Sequence, residues 1–305
     1  MFRLGHISDP HLGPLPSARI RELAGKRALG YFNWHRRRKT IHRAEVLSRI
    51  VSDLKAQDTD HIAVTGDILN LALPGEFAPS RVWLDTVGPS HDVTFVPGNH
   101  DAYVRKAARE WHSHWGDFMK GDTTGPDQFP FVRKRGDVAL IGLSSAITTA
   151  PFMATGLVGP QQLHALADVL DKLGAEGLFR VVLIHHPPIT KAAHRFKRLM
   201  DADKFRNVLL RHGAELVLHG HDHIHSVVYL DGPSARIPAV GVPSASAAGG
   251  EGDPAGYNVY SIEKAGNGWR CEAVTRGFRH RGDALVEISR RELSATETMP
   301  ALARA

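Results

Sequence analysis

Short apolar runs that stop abruptly at polar turns recur along the chain. Phe2 to Ser8 stops at Asp9, His61 to Thr65 at Gly66-Asp67, and Val93 to Val96 at Pro97-Gly-Asn-His-Asp. Further on, Arg180 to Ile184 stops at His185-His-Pro-Pro, and Leu216 to Leu218 at His219-Gly-His-Asp-His. Runs this short and this apolar predict buried β-strands. Between them, apolar positions recur at helical spacing. Ile41, Val46, Leu47, Ile50, Val51 and Leu54 make one stripe, and Phe77 to Val87, Val104 to Met119, Pro160 to Leu173 and Ala202 to His212 read similarly. Strands alternating with helices predict βαβ units. Phe129 to Val132 and Asp137 to Ser144 read as a hairpin around Lys134-Arg-Gly. After Gly220 the pattern changes: Ile224 to Leu230, Ile237 to Val242, Tyr257 to Ile262 and Trp269 to Thr275 follow one another with no helix between them. The expected fold class is α/β, with two packed mixed β-sheets flanked by helices. Residues 1–280 are expected to form one domain. Residues 281–305 lack aromatics and are expected to form a loosely ordered tail.

One segment breaks the alternation. Arg19 to Lys39, RIRELAGKRALGYFNWHRRRK, is strongly basic, with Tyr31, Phe32 and Trp34 set among the charges. It lies between the first strand and the stripe that begins at Ile41, and reads as an insertion over residues 19–40 beside whatever the strand ends build.

Composition narrows the class. With 42% hydrophobic and 23% charged residues in 305, the chain has the make-up of a soluble globular protein. No apolar run approaches the roughly 20 residues that span a bilayer. Met1-Phe-Arg runs straight into the first strand, so a signal peptide is not expected. The single cysteine, Cys271, excludes an internal disulfide and a thiolate metal cluster, and fits a reducing compartment. The expected location is cytoplasmic, with attachment to the inner face of a membrane as a variant. Thirty-eight Lys and Arg against 32 Asp and Glu give a net charge of +6, which suits an anionic partner.

The chemistry lies at the turns. Five strand ends carry D-x-H (Asp9, His11), G-D (Gly66, Asp67), G-N-H-D (Gly98 to Asp101), H-H-P-P (His185 to Pro188) and G-H-D-H (Gly220 to His223). Singly, each is explained by an ordinary turn. Together, in α/β sheets that gather ligands at the carboxyl ends of strands, they plausibly converge on one site. Glycine at positions 66, 98 and 220 allows turns that aim the next side chain inward.

In this order the motifs resemble those of the calcineurin-like metallophosphoesterases, over Phe2 to about Tyr229, and the strands beyond fit that family's second sheet. The resemblance implies a four-layer α/β/β/α sandwich and two metal ions that clamp a phosphoryl ester, with a bridging hydroxide as the in-line nucleophile. Carried over residue by residue, it places Asp9, His11, Asp67 and His223 on one ion. Asp67, Asn99, His185 and His221 would hold the other, with Asp67 bridging. Between His185 and His186 the family pattern favours the first. Oxygen and imidazole donors without sulfur suit Mn, Fe, Zn or Co. The resemblance gives His100 to the leaving group, with Asp101 orienting its ring; Asp101 also suits a cap for a helix near Tyr103.

The sequence G-D-I-L-N and G-N-H-D departs from the protein Ser/Thr phosphatase pattern and is closer to the branch of cyclic-nucleotide and glycerophospho-diesterases. There Asn70 would lie near the substrate; otherwise it is a turn residue. The expected activity is phosphodiester hydrolysis. The alternative is a UDP-diacylglucosamine-type pyrophosphate hydrolase, because Arg36 to Lys39 beside Trp34 suit an anionic membrane surface. Stacking of a nucleotide on the same aromatics is a further option, and an ordinary helix with solvated arginines is the plainest. His194 to Arg198 reads as a cap or an exposed loop, and His225 as a strand residue outside the site. A non-catalytic binding scaffold is a weaker reading, since every ligand position is filled.

Overall fold

The computed structural model describes residues 1–123, 128–189, 196–250, 252–266, 268–280 and 282–293. The first sheet has the order β12-β11-β10-β1-β2-β3. It comprises β1 (Phe2–Ile7), β2 (His61–Val64), β3 (Val93–Phe95), β10 (Gly256–Ala265), β11 (Gly268–Phe278) and β12 (Leu285–Glu292). The second has the order β4-β5-β6-β7-β9-β8. It comprises β4 (Phe131–Arg135), β5 (Val138–Gly142), β6 (Phe179–Leu183), β7 (Leu216–His219), β8 (Ser226–Leu230) and β9 (Ile237–Gly241). Helices α1 (Lys26–Asn33), α2 (Lys39–Ile41), α3 (Ala44–Lys55), α4 (Pro74–Val87), α5 (Ala108–Trp115), α6 (Pro160–Ala175) and α7 (Ala202–His212) complete the chain.

The strands that matter for the site are parallel: β1, β2 and β3 in one sheet, and β5, β6, β7 and β9 in the other. Their alternation sorts two cores. In β6, Val181 and Leu183 belong to the core that holds Leu4, Val64 and Phe95 of the first sheet. Val182 and Ile184 belong to the core holding Leu166 and Leu170 of α6 and Phe205 and Leu209 of α7. A run buried on both faces is why the sequence there is uniformly apolar. The expected two mixed sheets with flanking helices are thus what the chain forms.

Three expectations need correcting. The strands beyond Tyr229 do not all join the second sheet: β9 does, while β10 pairs antiparallel with β1 and leads β11 and β12 into the first. The tail expected from 281 is, over Leu285–Glu292, an edge strand paired with β11. Arg281 and 294–305 lie outside the described residues. An edge strand needs backbone pairing more than apolar burial, and here Arg290 adds an ion pair to Glu272 of β11, so its polar sequence concealed it. The helix expected from Val104 starts at Ala108, after turns closed by Tyr103 N–H to His100 O and Ala107 N–H to Val104 O.

The insertion folds onto the body. Arg27 donates to the carbonyls of Leu71 and Ala72, and Lys26 donates to Thr149 and Met153. Trp34 is buried, whereas Phe32 faces solvent with the Arg36 guanidinium 5.5 Å from its ring. The aromatics are therefore divided between packing and exposure.

Candidate metal centre

Every sequence-selected motif lies just past the carboxyl end of β1, β2, β3, β6 or β7. The turns are stitched together by their backbones. Asp9 N–H donates to Gly66 O at 3.0 Å, His11 N–H to Asp67 O at 3.0 Å and Leu12 N–H to Ile68 O at 2.9 Å, so the first two turns run side by side. The Asp101 carboxylate takes the N–H groups of Asp67, Gly98 and Leu69 at 2.8, 2.8 and 3.0 Å, which ties the third turn to the second. Asp9 Oδ2 accepts the His221 N–H at 3.0 Å across the sheets. Five of the residues so placed, Asp9, His11, Asp67, His221 and His223, have left-handed backbones with φ between 39° and 73°. Such conformations in non-glycine residues cluster where function constrains the chain.

The side chains converge into groups able to hold cations: Asp9, His11 and His223; Asp9, Asp67 and His185; and His11, Asp67 and His100. His185 Nε2 lies 3.3 Å from each of Asp67 Oδ2, Asn99 Oδ1 and His221 Nδ1. His223 Nε2 is 3.1 Å from Asp9 Oδ1, and His11 Nε2 is 3.9 Å from both Asp9 Oδ1 and Asp67 Oδ2. Donors about 2.1 Å from one cation stand roughly 3.0–3.4 Å apart in octahedral or tetrahedral arrangement, so the His185 group matches and the His11 contacts are looser. The second nitrogens strengthen the fit. His11 Nδ1, His185 Nδ1 and His221 Nε2 face the carbonyls of Leu69, Thr65 and Lys197 at 3.1, 2.6 and 2.8 Å. Donation there fixes the tautomer that leaves the inner nitrogen as a ligand. The donor set therefore fits a pair of cations.

Charge balance points the same way. Burial would raise the Asp9 and Asp67 carboxyls, but His223 and His185 around Asp9, and His185 and His100 around Asp67, hold both below the usual range. Burial would lower His185, yet facing Asp67 and Asp9 keeps its imidazole protonated, up to about 10. A cation taking this place must release that proton.

His185 and His186 differ in their contacts, though together with His221 they also form a group able to hold a cation. Both His186 nitrogens are engaged away from the carboxylates, Nδ1 with Ser145 Oγ at 2.7 Å and Nε2 with Ala154 O at 3.2 Å. His100 is held by Nδ1 on the Asn70 carbonyl and by its backbone N–H on Asp67 Oδ1 at 2.7 Å.

That arrangement corrects the expected role of Asp101. Its carboxylate is spent on three backbone N–H groups and the ring of His100 is oriented by Asn70 instead; nor does it cap a helix, since α5 starts seven residues later. Burial, then the charge of Asp67, push its carboxyl up to about 7. The Asn70 side chain is also turned inward, donating to Leu12 O at 2.7 Å, so it joins two turns rather than facing outward. His225 stays outside these groups, its N–H on Asp253. His194 and Arg195 lie outside the described residues.

Sequence reasoning missed His42. Its ring lies 4.5 Å from that of His11 and 5.9 Å from that of His223, with Nδ1 2.9 Å from Ser246 Oγ. Neighbouring Ser244 Oγ donates to Asp9 O at 2.6 Å. Nothing around His42 in sequence forms a motif; its place is set by pairing with a distant turn, Arg43 N–H donating to Ser246 O at 3.0 Å and Ala248 N–H to Ile41 O at 2.7 Å.

A two-sheet sandwich with Asp, Asn and His gathered at the carboxyl ends of both sheets defines a class, the metal-dependent hydrolases of phosphoric esters. Residues 2–225 match the calcineurin-like phosphoesterase family, and the chain belongs to it. Dependence on a dinuclear metal centre is the family's property. No curated protein sequence matches significantly. Among solved structures, a dimetal phosphatase from Danio rerio is similar at a TM-score of 0.62 and 13% identity, covering 97% of this chain and 99% of that one. A purple acid phosphatase from yellow lupin seeds is similar at 0.56 and 11%, covering 90% of this chain and 51% of that one. At such identities the likeness is one of fold. No helix among the described residues is long and apolar enough to cross a membrane.

Proposed function

We propose that this chain hydrolyses phosphodiesters at a dinuclear centre held by Asp9, His11, Asp67, Asn99, His185, His221 and His223, with Asp67 shared. The observation that carries the reading is the donor geometry: inner nitrogens and carboxylate oxygens turned toward one another, with the outer nitrogens of three histidines set on carbonyls. The cations, when bound, supply Lewis acidity toward the phosphoryl oxygens and lower the pKa of water at the site. The chain supplies the rest. His100, with Nδ1 set on the Asn70 carbonyl, serves the leaving oxygen as proton donor. Asp101 and Asn70 lock the turns that place it. Preference for diesters rests on the G-D-x-x-N form of the second motif.

The test uses metal-stripped protein refilled separately with Mn, Zn, Fe and Co, assayed on bis(p-nitrophenyl) phosphate and p-nitrophenyl phosphate. Metal-restored turnover that favours the diester and vanishes in Asp67→Ala is expected. Metal uptake without turnover of either ester would sink the catalytic reading; faster monoester turnover would sink the diester preference.

A second reading, a UDP-diacylglucosamine-type pyrophosphate hydrolase at a membrane, has one observation in its favour. Ile20, Leu29 and Phe32 of the basic insertion all present apolar side chains to solvent. Cosedimentation with anionic vesicles that is lost in Phe32→Ser would support it, and indifference to vesicles would count against it.

A further inference from the structure

A row of polar side chains runs through the apolar interior between the sheets. The register sets His6 of β1 opposite Asn258 of β10, and Asn258 opposite Thr275 of β11. Directly opposed residues share a face. A Cβ on Gly5 would meet Leu54 of α3, so alternation turns His6 the other way, toward the second sheet. His6 and Tyr260 are fully buried and Asn258 nearly so, inside the core that Leu4, Val64 and Leu218 share. Polar groups in such a place cost stability unless they are partnered.

Their partners form one directed chain. Thr275 Oγ1 donates to Asn258 Oδ1 at 2.8 Å, and Asn258 Nδ2 to Tyr260 Oη at 3.0 Å. The Tyr260 hydroxyl faces His6 Nδ1 at 3.5 Å, the longest link, and His6 Nε2 stands 2.9 Å from Thr65 Oγ1. This order assigns a neutral ring with its proton on Nε2. Burial, then nearby His219, keep the ring neutral by pushing it down to about 3. The chain ends on the residue that receives His185. The Thr65 N–H donates to Ile7 O at 3.1 Å, its hydroxyl meets His6, and its carbonyl faces His185 Nδ1 at 2.6 Å. His185 follows β6 of the second sheet, so at this carbonyl a candidate ligand of one sheet rests on the other. Gly66 comes next with a φ of 98°, so no regular strand beyond Thr65 holds it in place.

We propose that His6 is a positioning residue: through Thr65 it fixes the carbonyl that orients His185. It thereby sets the affinity of the cation that Asp67, Asn99, His185 and His221 would hold more than that of its neighbour. This rests on the reading of His185 as a ligand. His6 acts only through Thr65 and is itself steadied by Tyr260. A polar row that served strand register alone would lower stability without favouring either cation.

The test titrates the metal-stripped full chain with Mn by calorimetry. His185→Asn and His223→Asn, each removing a ligand from one group, assign the two binding phases. Thr65→Val and Tyr260→Phe cut the chain on either side of His6 with little change of shape, and Thr65→Ser keeps the hydroxyl. Val259→Ala, on the opposite face of β10, is the purely apolar loss. Losing outer support of a liganding imidazole costs about 10- to 100-fold in metal affinity, so either cut should weaken the His185 phase by about tenfold. The His223 phase should hold, Thr65→Ser should match wild type, and Val259→Ala should leave the ratio of the two phases unchanged. A second readout needs no metal: the His185 Nδ1–H proton resonance, identified by its loss in His185→Asn, should move upfield in both cut variants. Equal weakening of both phases, no weakening, or the same changed ratio in Val259→Ala would overturn the proposal. If wild type takes up no Mn, the metal reading fails, and the proton resonance alone decides on His6.

Discussion

Adding one methyl group at Gly98 tests the candidate centre more sharply than deleting a ligand. A Cβ there would stand 2.3 Å from Asp67 Oδ1 and 2.8 Å from both Asp67 Cγ and the Asp67 nitrogen. Gly98 is not among the left-handed glycines, so alanine meets no backbone penalty and the whole cost is contact. To restore ordinary contact the carboxylate must retreat by about 1 Å. Little slack exists, because the Asp67 N–H is bound to Asp101 and Oδ1 to the His100 N–H. Overpacking of this kind costs about 1–3 kcal/mol. A displacement of about 1 Å in a positioning group costs on the order of 10²-fold in rate. Gly98→Ala should therefore stay folded, lose part of its metal complement by mass spectrometry of the metals, and lose about 10²-fold in kcat/KM. Gly268→Ala is the control: nothing lies within 4 Å of its added Cβ, and every readout should match wild type. Full metal content with diester turnover within about threefold of wild type in Gly98→Ala would refute the assignment of Asp67 as the shared ligand.

Three further outcomes are expected. Chelation should lower the unfolding midpoint, since cations at about 1,000 times their Kd stabilise by roughly 4 kcal/mol; an unchanged midpoint would mean that no cation was bound. His61 tests acid stability: burial, helped by Arg135, Arg133 and His91, pushes its imidazole well below 6.5. The fold therefore favours the neutral ring, and its contribution is complete above about pH 6.5 and lost below it at about 1.4 kcal/mol per pH unit. Urea titrations between pH 7 and 5 should show a slope shallower by that amount in His61→Gln; parallel slopes would contradict the sign. Leu293 is buried, and its N–H donates to Cys271 O at 2.7 Å, so Leu293→Ala should cost about 2–5 kcal/mol; a neutral effect would restore the loose tail.

The sequence was most legible where one constraint acts alone. Buried parallel strands must be apolar and must end in turns, so β1, β2, β3, β6 and β7 and their motif residues stood out. The candidate ligands were selected because they recur in a fixed order of turns, and the structure brings them close together. What escaped was whatever depends on partners distant in sequence. β12 is polar because an edge strand is held by its backbone and by Arg290. Asp101 stood beside His100 in sequence, yet its carboxylate points to N–H groups more than thirty positions away. His42 reaches the site only through pairing with the turn around Ser246, 204 positions away, which no local pattern predicted.

The donors belong to two stretches of chain that meet late. Asp9, His11, Asp67 and Asn99 come from the first sheet, and His185, His221 and His223 from the second; Asp9 and His223 are separated by 214 positions. Closing so long a loop costs entropy before any contact rewards it. A cation cannot nucleate this fold as it does a zinc finger, because neither candidate donor group is complete until both sheets are assembled. On the dinuclear reading, loading would follow folding, with the partly exposed His221 and His223 on the more open side of the finished scaffold. Newly made chains should accumulate as a folded, metal-poor pool whose maturation rate depends on the supply of ions rather than on the speed of folding.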